Sequence, residues 1–218
     1  MLEGGKINSN KYILAIHSTN NYFGFAYRTI KEALSHEKFF VKKFDRDLSN
    51  NLIFDLNEFL AGITLDSIAR IAVSNGPANF NATRLIIVLA RTISQQINCP
   101  LDYYSCYEIM AKRIAIKNNI FAKNNSFWIM NKLRNRGYIA GKYLISLNQN
   151  NNGICSIKEI IRPKLYETIT NKNGYYDVDY DPKEDLKELL QLSQKNYNNS
   201  VINSWEDALP IYPISPIN

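Results

Sequence analysis

The order of apolar and polar positions divides the chain into short strands and a few amphipathic helices. Lys11 to Ile16 is an apolar run suited to one strand, and Tyr22 to Arg28 alternates through Phe23, Phe25 and Tyr27 after a polar turn. Phe39 to Phe44 gives a third, less regular strand. A helix is predicted from about Asn50 to Ala61, with Asp47 or Ser49 as its cap and Gly62 as its stop. Ile68 to Val73 is β-branched and apolar, which predicts a buried strand. Ser74-Asn75-Gly76-Pro77 then breaks the chain, because Gly and Pro both disfavour continuing either period. From Thr83 the residues Leu85, Ile86, Leu89, Ile93 and Ile97 recur at helical spacing. The stretch Ser67 to Ile97 is therefore strand, turn and helix, the place where α/β proteins usually put a site.

Leu101 to Tyr104 reads as a short strand or connector. Ser105 and Glu108 form a capping box that starts a helix running to about Lys117, and Asn118 to Asn125 is a polar link. The second half then begins like the first. Phe127 to Met130 is an apolar strand, Asn131 to Gly137 a polar turn and Tyr138 to Leu147 an aromatic strand, which repeats the order of Tyr12 to Tyr27. Asn148 to Gly153 is a turn and Ile154 to Ile161 a further strand. Asp181-Pro182-Lys183-Glu184 combines an N-cap, Pro at the first helical position and Glu two residues later, starting a helix to about Lys195. Trp205 to Asn218 carries Pro210, Pro213 and Pro216 and is expected to be extended.

Composition adds limits. A chain of 218 residues with 45% hydrophobic and 21% charged residues suits one globular domain or two small lobes. No apolar run approaches the roughly 20 residues that span a bilayer. The opening MLEGGKINSN lacks the apolar middle of a signal peptide and reads as a frayed tail. Cys99, Cys106 and Cys155 are odd in number with no metal-like pairing, which favours packing roles and a reduced, cytoplasmic setting.

The formal charge of +6 is unevenly spread. Ile109 to Lys142 holds eight cations (Lys112, Arg113, Lys117, Lys123, Lys132, Arg134, Arg136 and Lys142) and no acid. Tyr176 to Glu188 reverses this, with Asp177, Asp179, Asp181, Glu184, Asp185 and Glu188 against Lys183 and Lys187. Each block reads as a solvated face, and the basic one equally as a contact for an RNA backbone.

The candidate site lacks much of what chemistry would need. A phosphate loop uses several glycines, a Lys and a hydroxyl, whereas Gly76 to Arg84 has one Gly, no Lys, and Asn79 and Asn81 where hydroxyls belong. Amides at the start of the following helix, with Arg84, could still meet an anion, so Gly76, Asn79 and Arg84 are the nucleotide-proximal candidates. No HExxH, CxxC or GxSxG occurs, and the only histidines are His17 and His36. His17 ends the first strand, where either a ligand role or packing fits. The two strand ends related by the repeat carry His17 and Asn131, so neither offers magnesium a carboxylate, and no metal site is expected. The helix from Asn50 to Ala61 has two apolar stripes: Leu52, Leu56 and Phe59, then Ile53 and Leu60 with Asn57. The second stripe fits either a wide core face or a partner.

ILAIHST, SIARIAVSNGPANFNATR, YSCYEIMA and ALPIYPISP together resemble the TsaB (YeaZ) family, relatives of the tRNA threonylcarbamoyltransferase TsaD. Of that family's GPGSFTGLR fingerprint, Gly76, Pro77, Phe80 and Arg84 match in register, while Ala78, Asn79, Asn81, Ala82 and Thr83 differ. The resemblance lies mostly in Tyr12 to Ala111. It implies an α/β fold of two related lobes like those of the actin, hexokinase and Hsp70 ATPases (ribonuclease H-like), with mixed sheets and flanking helices. On that basis residues 1–10 are a tail, 11–108 the first lobe and 109–218 a second, more divergent lobe. His17 and Asn131 stand where the family usually starts each lobe with Asp, which argues against ATP chemistry by this chain. The implied role is non-catalytic: pairing with TsaD, alongside the ATPase TsaE, so that threonylcarbamoyl reaches an adenosine beside the anticodon of tRNA. ATP and magnesium would be used by the partner complex, tRNA would be met through it, and this chain would hold no cofactor alone. The rival readings are a free-standing ATP-dependent kinase or hydrolase of the same fold, and an RNA-binding module. Family pairing uses the helices before and after the fingerprint strand, which places Leu52, Ile53, Leu56, Phe59, Leu60, Leu85, Ile86, Leu89 and Ile93 at the expected interface. Each such side chain buried there would contribute roughly 1.5–3 kcal/mol. Without the partner, the same surface could self-associate, and the sequence leaves homodimer and monomer both open for the lone chain.

Overall fold

The computed structural model describes residues 11–30, 36–45, 47–120, 126–147, 154–170 and 173–214. The expected tail at 1–10, the turn at 148–153, the end of the polar link at 121–125 with Lys123, and the Cys155 side chain lie outside the described parts.

Two mixed sheets carry the chain. The first has strand order β3-β2-β1-β4-β5, from β1 (Tyr12–Ser18), β2 (Tyr22–Thr29), β3 (Glu37–Lys43), β4 (Ile68–Ser74) and β5 (Leu101–Tyr104). β1, β2 and β3 are antiparallel neighbours, whereas β4 runs parallel to β1 and β5 parallel to β4. The second sheet has order β8-β7-β6-β9, from β6 (Ser126–Leu133), β7 (Gly137–Leu147), β8 (Ile154–Tyr166) and β9 (Tyr175–Asp177). Here too the first three are antiparallel and the fourth is parallel to the first, β9 to β6. The repeat seen in the sequence is thus a repeat of topology, and the ribonuclease H-like, two-lobed α/β class holds.

Helices α1 (Leu48–Phe59) and α2 (Phe80–Ile97) cover one face of the first sheet. Leu14, Ile16, Phe23, Phe25, Ile71 and Val73 point to that face, as alternation requires, and meet Leu52, Leu56, Phe59, Ile86, Ile87 and Ile93. Helix α3 (Cys106–Lys117) packs on the second sheet through Met110, Ala111 and Ile114 against Phe127, Ile129, Ile139 and Tyr143. Helix α4 (Pro182–Asn198) follows the second sheet in sequence but returns to the first. Its Leu186, Leu189 and Leu190 pack on Ile13, Ala15, Ala26 and Ala72, and Ile109 of α3 joins them. Small residues at Ala15, Ala26 and Ala72 let the helix lie close to the strands.

The caps follow the sequence closely for two helices, α3 and α4. Ser105 Oγ accepts from the Glu108 amide at 3.0 Å, and Asp181 Oδ1 from the Glu184 amide at 3.2 Å, with Pro182 at the first helical position. α2 starts at Phe80, three residues earlier than the periodicity from Thr83 shows, because Asn79 Oδ1 accepts from the Ala82 amide at 3.1 Å. Asp47 occupies the α1 cap position, yet its Oδ2 takes the Asn51 side-chain amide at 2.8 Å instead of a backbone N–H. Two strands outrun expectation. β6 continues through Asn131 to Leu133, and β8 continues past Pro163 to Tyr166. Pro163 is tolerated because β8 is an edge strand and its pairing with β7 shifts register between Ala140 and Lys142.

Candidate functional site

The turn between β4 and α2 is closed off by the chain's own C-terminal segment. Gly76 has φ of 96°, a left-handed conformation suited to glycine, and the Gly76–Pro77 peptide is cis. A Cβ on Gly76 would lie 3.0 Å from the Ile211 carbonyl oxygen, so the segment passes close overhead. The Ile211 amide donates to the Asn75 carbonyl at 2.7 Å, Asn75 Nδ2 donates to the Leu209 carbonyl at 3.0 Å, and the Cys106 amide donates to the Gly76 carbonyl at 2.7 Å. Phe80 packs against Tyr212 with ring centroids 4.5 Å apart and the rings tilted by 36°. The fingerprint residues and the Pro-Tyr segment, far apart in sequence, are therefore one structural unit. Gly76 is buried, the Asn79 side chain is committed to the α2 cap, and Arg84 is exposed. Arg84 borders an open groove of about 760 Å³ with Phe44, Asp45, Leu48, Ser49, Asn81, Leu85 and Val88. The structure thus brings the three nucleotide-proximal candidates near each other: Gly76 is buried in the turn, whereas Asn79, its Oδ1 used by the α2 cap, and the exposed Arg84 both line the groove.

His17 is fully buried on the α4 side of the first sheet, with Nε2 3.2 Å from Asp185 Oδ2. Asp185 Oδ1 also accepts from Arg113 Nη2 at 2.8 Å, and Arg113 donates to the Asp179 carbonyl as well. At the strand end where the resembled family carries an acid, an imidazole sits against an acid from α4. Among the described residues, no group of three or more His, Cys, Asp or Glu side chains is placed to hold a metal ion.

The expected partner surface needs correction. Leu52, Leu56, Phe59, Leu60, Ile86 and Ile93 are buried in the first core, because both helices spend their apolar stripes on their own sheet. Leu85 and Leu89 are half-buried at the edge of that core. Ile53 is 69% exposed, as a partner stripe requires. Two residues the sequence reading missed stand out: Phe54, 64% exposed on α1, and Val88, 56% exposed on α2. They fall between the apolar stripes and so carried no periodic signal.

Two polar clusters also went unread. Arg70 of β4 and Asp102 of β5 form a buried pair, with Nη1 2.8 Å from Oδ1 and 2.9 Å from Oδ2. Ser193 of α4 at 2.6 Å, Asn196 at 2.9 Å and Asn203 at 2.8 Å donate to the same carboxylate, and Arg70 donates to the Val201 carbonyl. A lone charge in each of two adjacent apolar strands was the available signal. In the second cluster Ser105 Oγ donates to Glu159 Oε2 at 2.6 Å, beside Tyr143 and Glu108. Burial, and then the Glu159 charge, push the Glu108 carboxyl up to about 7. Burial likewise pushes the Cys99 and Cys106 thiols up, to about 11 and about 12, which disfavours the reactive thiolate.

The basic block of the sequence is divided between two environments. On α3, Lys112 lies 3.7 Å from Glu188, Arg113 2.8 Å from Asp185, and Lys117 3.1 Å from Asp179. That half is neutralised by the acidic block. Lys132, Arg134, Arg136 and Lys142 belong to β6, β7 and the turn between them, and none has an ion-pair partner among the described residues.

Strand order, the two-lobe repeat and the position of the closed turn define an actin-like, ribonuclease H-like architecture with two short lobes. No family model and no curated protein matches the sequence. Among solved structures, the chain is similar to YeaZ from Pseudomonas aeruginosa, with a TM-score of 0.61 and 17% identity over 93% of this chain and 99% of that one. It is similar also to an uncharacterized protein related to peptidase YEAZ from Pseudomonas aeruginosa, with a TM-score of 0.64 and 16% identity over 94% of this chain and 100% of that one. The chain has the YeaZ fold over essentially its whole described length. No helix among the described residues is long and apolar enough to cross a membrane.

Proposed function

We propose that this chain is an accessory subunit that pairs with a TsaD-like threonylcarbamoyltransferase and supports transfer of threonylcarbamoyl to the adenosine beside the anticodon of tRNA. A TsaE-like ATPase would complete the assembly, and ATP and magnesium would be used there. The observation that carries this reading is the end-to-end likeness to YeaZ, which extends the fingerprint match at Gly76, Pro77, Phe80 and Arg84 to the whole fold. Two features favour a non-catalytic part. His17 is taken up by Asp185 inside the protein, and the β4–α2 turn is filled by Leu209 to Tyr212. The same features weigh against a free-standing kinase or hydrolase.

The docking surface would then use the exposed apolar residues of these two helices, Ile53 and Phe54 of α1 and Val88 of α2, with the half-buried Leu85 and Leu89. The test is co-purification of the tagged chain with a TsaD-like protein from the source cells. Ile53→Glu and Val88→Glu are exposed changes that should leave the fold intact, as judged by circular dichroism, and abolish the pairing. Retention of the partner by both variants, or recovery of no such partner by the parent chain, would overturn the proposal.

A further inference from the structure

We propose that the outer face of the second sheet is a binding platform for unpaired nucleic acid. Alternation sends Phe127, Ile129, Ile139 and Tyr143 inward to α3, so Trp128, Lys132, Tyr138 and Lys142 point the other way. Register places them in rows across the strands. Tyr175, Trp128 and Lys142 form one row, Asp177, Met130, Ala140 and Lys164 the next, and Lys132, Tyr138 and Tyr166 the third. No described helix packs on this face; α3 is the helix on the sheet, and it lies on the other side.

The centre of the face is built so that rings stay at the surface. Ala140 is small, and Trp128 and Tyr166 close over it edge to face, with centroids 5.8 Å apart at 88°. Met130 and Ala140 are buried beneath them. Trp128 also stacks on Tyr175 at 5.2 Å and 9°. Tyr175 lies on β9, at the edge of the sheet, so no further strand among the described residues flanks its far side. A base placed there would extend an existing stack.

Charge selects the occupant. Lys132, Lys142 and Lys164 on this face, with Lys158 paired opposite Leu144 in the adjoining row, oppose Asp177, the one acid in these rows among the described residues. None of these lysines has an ion-pair partner among the described residues. Lys142 lies 5.8 Å from the Trp128 ring and Lys164 5.4 Å from the Tyr166 ring, so the cations and the stacking surfaces are interleaved. Phosphates answer the lysines and splayed bases answer the rings, whereas a duplex hides its bases from such a face. The surface lies on the other lobe from α1 and α2, and its test uses this chain alone, so it stands apart from the pairing reading.

The experiment is fluorescence anisotropy of the purified full chain with labelled oligouridine, oligodeoxythymidine, a duplex RNA and phosphatidylserine vesicles. Binding to the single strands is expected at about 50 mM salt, weakening with a log–log slope near −2 to −3 if three or four phosphates are neutralised at roughly 0.7 each. Changing Lys132, Lys142 and Lys164 together to Glu should weaken binding by at least about tenfold and flatten that slope. Tyr175→Ala should weaken it by about tenfold while leaving the slope unchanged. Lys112→Glu with Lys117→Glu, on the neutralised α3 face, should change affinity by less than about twofold. The relative affinity for uridine and thymidine strands tells whether the ribose hydroxyl takes part. No single-strand binding at low salt, equal loss from the α3 changes, or preference for duplex or vesicles would overturn the inference.

Discussion

Arg70 of β4 and Asp102 of β5 form a buried ion pair at the centre of a hydrogen-bonded network. Asp102 ties β5 to β4 through Arg70, to α4 through Ser193 and Asn196, and to the following segment through Asn203. Both side chains are almost fully buried, at 4% and 0% exposure. Asp102→Ala would leave the guanidinium in the interior with the Val201 carbonyl as its remaining acceptor. Removing one partner of a buried pair costs about 3–5 kcal/mol, because the surviving charge has lost both water and counter-charge. For a domain of this size that corresponds to a melting temperature lower by about 6–20 °C.

Urea unfolding followed by circular dichroism reads the effect as a lower midpoint at unchanged m-value. The companion variant replaces both charges, Arg70→Met with Asp102→Leu. Apolar side chains of similar bulk remove the stranded charge, so the double variant should recover at least about 2 kcal/mol relative to Asp102→Ala. The asparagines and Ser193 left without their acceptor keep that recovery partial. An Asp102→Ala protein within about 1 kcal/mol of the parent, or a double variant as unstable as the two single changes combined, would refute the reasoning.

Two further outcomes follow from the other buried groups. His17→Asp sets a second carboxylate against Asp185 in a site closed to solvent, so it should lower the urea midpoint at neutral pH more than His17→Asn does; equal midpoints would refute the clash. Glu108 is held up to about 7 in the folded chain against 4.5 as its ordinary value, so the unfolded chain ionises first. Its contribution to stability is complete below pH 4.5, declines as pH rises to about 7, and is absent above. Glu108→Gln should remove that part of the pH dependence of the midpoint, and an unchanged profile would count against the assignment.

Much of the fold is legible from period and turn chemistry. The strand–turn–helix from Ile68 to Ile97, the capped start at Asp181 and the repeated order of the second half all rest on local signals that the tertiary structure leaves in place. What escaped was set by neighbours. β9 is three residues long and is a strand only because β6 lies beside it. β8 passes through Pro163 because it is an edge strand whose register against β7 shifts there. The apolar stripes of α1 and α2 gave no sign of whether their own sheet or a partner covers them. The sheet takes Leu52, Leu56, Ile86 and Ile93, and the exposed residues Phe54 and Val88 fall outside the period.

One topological choice connects the features that the sequence presented separately. Had α4 stayed with the sheet it follows, as α2 stays with β4, it could have covered the outer face of β6 to β9. Its return to the first sheet carries Asp185 to His17, so the end of β1 is filled from within. It also brings the acidic block alongside α3, where Asp179, Asp185 and Glu188 neutralise Lys117, Arg113 and Lys112. The same move leaves the second sheet with α3 on one side and Trp128, Tyr166, Tyr175 and lysines without an ion-pair partner among the described residues on the other. Filling of the end of β1 and openness of the second sheet's outer face are therefore two consequences of where one helix docks. That helix is held on the first sheet by Leu186, Leu189 and Leu190, and by Ser193 and Asn196 on Asp102. Weakening the Arg70–Asp102 network thus acts on the element that gives the two lobes their different surfaces.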